Sequence, residues 1–308
     1  MKEGNIDNYI CVTSCPLCRS EDATLFKSIK KKNYYLRDVK IAIPDQKILI
    51  LKCKKCDLLY KKYIVRPEFL VSLSTANKHF WSDDIGNYID VLKEYVVFRE
   101  AKSVIDIGAG DCSIGKAIMD IKQYAAVDIM SSQECNKILK RNYYTDDYTF
   151  KELVVDSQFD IALLIDVIEH LQNPFLFLKN VYGNKNFINM LIHTGDSDVI
   201  FNKSKPTEFD WYLKLPEHNM CFNESSIRYL FNMLGWSVRK VERVRSKLYY
   251  SSKLSKRVAS KLLYYSNLLS RGYVSSALPG RYSSLFDLYS FNHMNVLVSA
   301  KNQNSYKK

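Results

Sequence analysis

Two cysteine pairs, Cys15-Pro-Leu-Cys18 and Cys53-Lys-Lys-Cys56, have the spacing that lets two thiolates on one tight turn meet a tetrahedral ion about 2.3 Å away. Together they fill all four positions around one zinc ion and leave none for a substrate, so the chemistry they point to is structural. The 34 residues between Cys18 and Cys53 exceed the usual spacer of a zinc ribbon. Apolar segments at Leu36–Ile43 and Lys47–Leu51 can fill it as hairpin strands, with Pro44-Asp45 as the turn. A bound metal would offset the thin core of a module of about 60 residues. Cys11 is read as a bystander.

A second constellation begins at Ser103. Val104-Ile105-Asp106-Ile107-Gly108-Ala109-Gly110-Asp111 reads as a buried parallel strand entering a glycine turn, and Ile114, Ala117, Ile118 and Ile121 follow at helical spacing. Gly108 and Gly110, with Ala109 between them, let the backbone approach a ligand where a side chain would collide. Ala126-Val127-Asp128 ends a second strand about 20 residues after the first glycine, with Ile129 beside it. A carboxylate there accepts hydrogen bonds from ribose hydroxyls, which implies an adenosine-containing cofactor. Asp106 decides which one: it would sit badly beside a pyrophosphate but complements the ammonium group of S-adenosylmethionine (SAM). The turn also has Ser113 where a dinucleotide fingerprint has its third glycine. A further strand, Phe159–Ile165, ends in the polar tip Asp166-Val167-Ile168-Glu169-His170, and ligands of open parallel sheets bind at such carboxyl ends. Asp166 and Val167 are therefore expected in the cofactor pocket, and Asp146 or Asp147, after a strand over Asn142–Thr145, at the adenine.

Methyl transfer is a displacement at a sulfonium carbon. Alignment supplies much of the rate, and a base is needed to deprotonate an alcohol acceptor. Histidine suits that task. His218, in Pro216-Glu217-His218-Asn219, ranks first, with Glu217 beside it and Phe209, Trp211 and Tyr212 in the preceding loop as aromatic lid surfaces. His193, placed at the end of a strand over Phe187–Ile192, ranks second, and His170 third. The alternative is that these histidines only hydrogen-bond loop backbone.

On these residues the chain resembles the class I SAM-dependent methyltransferases. The matching segments are Asp106–Gly110, the acidic strand end at Asp128, the block Phe159–Pro174, and Pro216–Trp236. Cys112 departs from the pattern, standing where the family commonly has a third glycine. The four-cysteine prefix with Cys-Lys-Lys-Cys-Asp-Leu-Leu-Tyr looks like the zinc-bearing subgroup found among sugar and surface-glycan methyltransferases. The resemblance implies a sheet ending in a hairpin, mapped to Trp236–Val244 and Met294–Lys301, and a sugar or glycan acceptor.

The elements that must position these groups follow from the pattern as a whole. At 308 residues, 47% of them hydrophobic and 25% charged, the chain is long enough for about two domains with packed cores. The expected fold class is α/β: a Rossmann-like methyltransferase sheet behind a small N-terminal zinc-binding β module, with a helical insertion before the last strand. Residues 1–65 form the zinc module, 66–100 linker helices, 101–301 the methyltransferase domain with its insertion at 245–290, and 302–308 a tail.

Neither a secretory h-region nor an apolar run of about 20 residues is present, so a cytoplasmic location is expected and the eight cysteines are expected as ligands or free thiols. The net charge of +12 is concentrated between Arg239 and Lys261, opposed there only by Glu242. On a helix, Tyr250, Leu254, Val258, Leu262, Tyr265 and Leu269 make an apolar stripe with Lys253, Lys256 and Arg257 opposite. Such a face packs within the protein or a homodimer, lies on the anionic inner surface of a membrane through residues 245–271, or, ranked last, binds nucleic acid. Three functions follow: methylation of a sugar hydroxyl or carbon, methylation of RNA, or a scaffold that keeps the fold without the chemistry.

Overall fold

The computed structural model describes residues 6–36, 39–70, 92–93, 95–110, 112–118, 121–128, 142–144, 158–183, 187–201, 212–244 and 293–300. Ile129, Asp146, Asp147, Phe209, Trp211, most of the expected linker, the insertion at 245–290 and the tail at 302–308 lie outside them. Among the described residues no helix is long and apolar enough to cross a membrane.

The N-terminal region is a set of short strands: β1 (Tyr9–Cys11), β2 (Ala23–Lys30), β3 (Asn33–Leu36), β4 (Val39–Ala42), β5 (Lys47–Cys53), β6 (Leu59–Lys61) and β7 (Tyr63–Val65). The expected pairing of Leu36–Ile43 with Lys47–Leu51 is not what forms. β4 pairs with β3, and β5 runs back along β2 with Ala23 opposite Cys53. Pro44–Gln46 is a 3-10 turn joining the two hairpins. This arrangement keeps Ile41, Ile43, Ile48 and Ile50 in one buried cluster and brings the end of β5, which is Cys53, beside the start of β2, just after the first cysteine pair.

The rest of the chain continues as α1 (Val96–Arg99), β8 (Ser103–Ile107), α2 (Ser113–Ala117), β9 (Gln123–Asp128), β10 (Asn142–Tyr144), β11 (Phe159–Ile165), a 3-10 turn (Ile168–His170), α3 (Pro174–Gly183), β12 (Phe187–Gly195), α4 (Ser197–Ile200), β13 (Met220–Cys221), α5 (Glu224–Met233), β14 (Trp236–Val244) and β15 (His293–Ala300). Seven of these strands form one sheet in the order β10-β9-β8-β11-β12-β15-β14, in which β15 alone runs against its neighbours. This is the expected Rossmann-like α/β fold, and the hairpin of β14 and β15 falls within a residue of its expected place. The central strands are apolar almost without alternation because both faces of the sheet are covered. Ile161, Ala162, Leu163 and Leu164 are all fully buried.

β12 runs three residues past its expected end at Ile192. Antiparallel pairing with β15 continues from Asn189 opposite Ser299 to Gly195 opposite His293, so His193 and Thr194 are strand residues. The unit drawn at 1–65 likewise borrows a strand: β13 adds to β6 with Met220 opposite Tyr60, completing the order β13-β6-β5-β2. Cys15, Cys53, Cys56 and Tyr60 consequently share one apolar cluster with Ile105, Val127, Leu164 and Ile192 of the main sheet.

Candidate active site and cysteine centre

The two cysteine pairs fold as near copies of one another. In each, the fifth residue donates its N–H to the carbonyl of the first at 3.0 Å, Arg19 to Cys15 and Asp57 to Cys53. Both fifth residues adopt left-handed φ, 62° and 65°, which turns the two thiols of each knuckle toward one point. Cys15 Sγ lies 3.5 Å from Cys56 Sγ, Cys18 Sγ lies 3.5 Å from Cys53 Sγ, and all four are within 4.8 Å of one another. Sulfurs on a tetrahedral ion with ~2.3 Å bonds stand about 3.8 Å apart, so the donor set fits one zinc. The hydrogen bond from Cys56 draws Cys15 down to about 5, the same contact pushes Cys56 up, and burial pushes Cys18 up to about 11. Cys112, by contrast, is disulfide-bonded, so it is neither the ligand nor the free thiol expected of it.

At the carboxyl edge of the main sheet, β8 delivers Asp106 into the glycine turn. Asp106 is 1% exposed, and its Oδ2 accepts a hydrogen bond from the Tyr124 hydroxyl at 2.5 Å. The turn folds back on β9: the Gly108 N–H donates to the Val127 carbonyl at 2.7 Å and the Gly110 N–H to Asp128 Oδ2 at 2.8 Å. Gly108 has φ 79°, and a Cβ there would lie 2.3 Å from Val167 Cγ2, so a side chain would drive the tip of β11 away. Ala109 is buried between the two glycines, and Cys112 takes a left-handed φ of 60° in the position where the resemblance expects glycine. Asp106, Gly108, Ala109, Gly110, Asp128 and Val167 thus come together. They do so beside the boundary between β8 and β11, where the strand order reverses.

The acceptor-side candidates gather one step along the same edge. Asp166 ends β11 with φ 52° and has its Oδ1 3.9 Å from His193 Nε2; burial pushes its carboxyl up. His193 is buried and its Nδ1 lies 2.6 Å from Asn295 Oδ1 on β15, so it is held between β15 and Asp166. Beyond it, Glu169 accepts hydrogen bonds from the Tyr212 hydroxyl at 2.7 Å and the Thr194 hydroxyl at 3.0 Å. The His218 ring packs 4.2 Å from the Tyr212 ring and 4.8 Å from the His170 ring. Burial lowers His170, opposed by Glu217 and Asp166. The loop is tied down by Asn219, whose N–H donates to the Glu169 carbonyl at 2.9 Å and whose amide donates to the His170 carbonyl at 2.6 Å.

Residue spacing alone did not single out Glu169 and Thr194, the polar partners that hold this cluster, nor Asn295. Thr194 and Asn295 signal themselves as polar residues inside apolar strands, and Glu169 lies in the polar tip that follows β11. Tyr212 was expected as an open stacking surface and is instead fully buried. It fits because Gly195 faces it: a Cβ on Gly195 would lie 2.5 Å from Tyr212 Cζ.

No family model matches the sequence, and no curated protein does. Solved structures do. A chain from the Haloferax volcanii complex of the Trm112 methyltransferase activator is 12% identical, with a TM-score of 0.51 over 77% of this chain and 99% of that one. A 1,6-didemethyltoxoflavin-N1-methyltransferase from Burkholderia thailandensis is 14% identical, with a TM-score of 0.47 over 87% and 98%. A SAM-dependent methyltransferase from Archaeoglobus fulgidus is 15% identical, with a TM-score of 0.45 over 76% and 99%. At these identities the likeness is one of fold.

Proposed function

We propose that this chain is a SAM-dependent methyltransferase acting on a hydroxyl, or a carbon, of a sugar, sugar nucleotide or surface glycan, with one structural zinc in its cysteine centre. The observation that carries the reading is the glycine turn between two carboxylates, Asp106 and Asp128, at the point where the strand order reverses. The residues present fit SAM: Asp106 complements an ammonium group, Asp128 can accept ribose hydroxyls, and the turn has no side chain at Gly108 or Gly110 to fill the cradle. When bound, SAM supplies an electrophilic methyl group on a sulfonium centre.

The protein's own part is alignment and proton transfer. His218 accepts the proton of an acceptor hydroxyl, with Tyr212 and His170 packed against its ring to hold its orientation and Glu217 next to it to favour the imidazolium that forms. Val167 stands against the glycine turn at Gly108, and Asp166, next to it in the chain, faces His193. The sugar acceptor comes from the resemblance of the four-cysteine prefix.

The test is calorimetry with SAM, followed by incubation with labelled SAM and a panel of sugar nucleotides, cell-surface glycans and RNA with mass detection. Binding of SAM and label in a sugar are expected. An absence of SAM binding would overturn the enzyme reading, and label only in RNA would overturn the acceptor class.

A further inference from the structure

Strand β6 carries a lysine where the fold has no water for it. Lys61 is 1% exposed, and its backbone N–H donates to the Asn219 carbonyl at 2.9 Å, directly beside His218. Its side chain turns under the same loop: Nζ donates to the Leu215 carbonyl at 2.5 Å and sits 4.9 Å from the centroid of the Tyr34 ring. The carboxylate acting on it is Glu217, which also acts on Tyr34 and His170. Among the described residues Glu217 Oε2 is buried with no hydrogen-bond partner. Lys61 and Tyr34 belong to the cysteine module; Leu215, Glu217, His218 and His170 belong to the methyltransferase fold. The floor under the proposed base is therefore built by both.

Stability alone gives no reason for an ammonium at this point. Stripping water from an ammonium costs several kcal/mol, and a well-packed apolar side chain of similar length commonly serves the fold as well or better. A buried charge facing a carboxylate beside titratable side chains is instead the pattern of a site that uses the charge.

We propose that Lys61 is a positioning residue of the acceptor site, whose ammonium holds the Leu215–His218 segment through the Leu215 carbonyl and acts through space on the Glu217 carboxylate. The inference rests on His218 as the acceptor-side base. It makes the cysteine module a wall of the active site, because Lys61 stands five residues beyond the ligand Cys56 on the strand that the second knuckle launches. The groups facing Lys61 are Glu217, Lys31 and Tyr34; those facing His170 are Glu217, Asp166, Glu169, His218 and Lys61. Burial brings Lys61 down to about 7, opposed by Glu217 and assisted by Lys31. Its charge is thus sensitive to pH near neutrality, and when present it disfavours protonation of His170.

The test uses full-length, zinc-loaded wild type, Lys61→Met and Lys61→Arg, followed by NMR titration of the histidine ring resonances assigned by His170→Asn. Lys61→Met is expected to keep one zinc per chain and SAM affinity within about threefold of wild type. Its His170 midpoint is expected to rise by about half a pH unit or more, because the nearby positive charge is gone. Lys61→Arg, which keeps the charge, is expected to restore the midpoint. An unchanged His170 midpoint in a zinc-loaded Lys61→Met, or an arginine variant shifted as far as the methionine one, would overturn the proposal. Should Lys61→Met not fold, Glu217→Gln reads the same charge interaction from the other side. The Lys61 side-chain titration should then move to lower pH, and no movement would overturn the proposal equally. Calorimetry with SAM on the wild type separates the two readings: no SAM binding sinks the enzyme reading while the histidine titration still reports on Lys61.

Discussion

Glu169 shows how one side chain can set the pH response of the molecule. It is fully buried, and its two oxygens take the hydroxyls of Tyr212 and Thr194. Burial, assisted by Asp166 and opposed by those hydroxyls, pushes its carboxyl from 4.5 up to about 8. The folded chain therefore holds a proton that the unfolded chain releases once pH passes the ordinary glutamate value. The resulting stability is present in full below about 4.5, declines as pH rises, and is gone above about 8. Glu169→Gln removes this dependence. Relative to wild type it should gain about 4 kcal/mol between pH 5 and pH 8.5, read by urea unfolding at both values. A difference that does not change with pH would contradict the assignment. At the same scale, His218→Ala should fold and bind SAM as wild type does, yet lose about 10²–10⁴-fold in turnover of a hydroxyl acceptor. Near-normal turnover would remove His218 as the base.

The elements explain why some of this was legible in the sequence and some was not. β8 and β11 announce themselves as continuous apolar runs because both faces are buried, and Asp106, Gly108 and Gly110 follow because a strand of that kind must end in a turn. β12 looked three residues shorter than it is, since His193 and Thr194 are polar. Their burial is offset by Asn295 and Glu169, partners about 100 residues later and 25 residues earlier in the chain. β13 has only two residues, too few for any periodicity, yet it joins the halves of the molecule. Asn223, which caps α5 by accepting the Ser226 N–H at 2.8 Å, also donates to Asp57 at 2.8 Å, the residue that closes the second cysteine knuckle. Cys56→Ser is accordingly expected to lose the metal and to speed amide exchange at Met220 and Cys221 as well as at Leu59–Lys61. Exchange confined to residues before Lys61 would show that β13 is held without the module. Gly195→Ala should cost about 1–3 kcal/mol, because its Cβ would meet both Tyr212 and Ile200 Cδ1 at under 3 Å. A thermal melt unchanged from wild type would mean that Tyr212 moves aside freely.

Across the whole molecule, the shared apolar cluster of cysteines and main-sheet residues makes the cysteine centre part of one cooperative unit. Chelation at neutral pH is expected to lower the midpoint of a single thermal transition. Two separated calorimetric peaks would mean that the halves unfold independently. The position of β15 also has a consequence in time. It lies between β12 and β14, and everything from residue 245 to residue 292 must be made before it exists. At ribosomal speeds of about 5–20 residues per second, β12 and β14 wait several seconds with their edges unjoined. His193 waits with them, since its partner Asn295 arrives on the same late strand. A nascent chain of this protein is therefore most exposed to mispairing during the synthesis of that stretch, and most in need of a chaperone there.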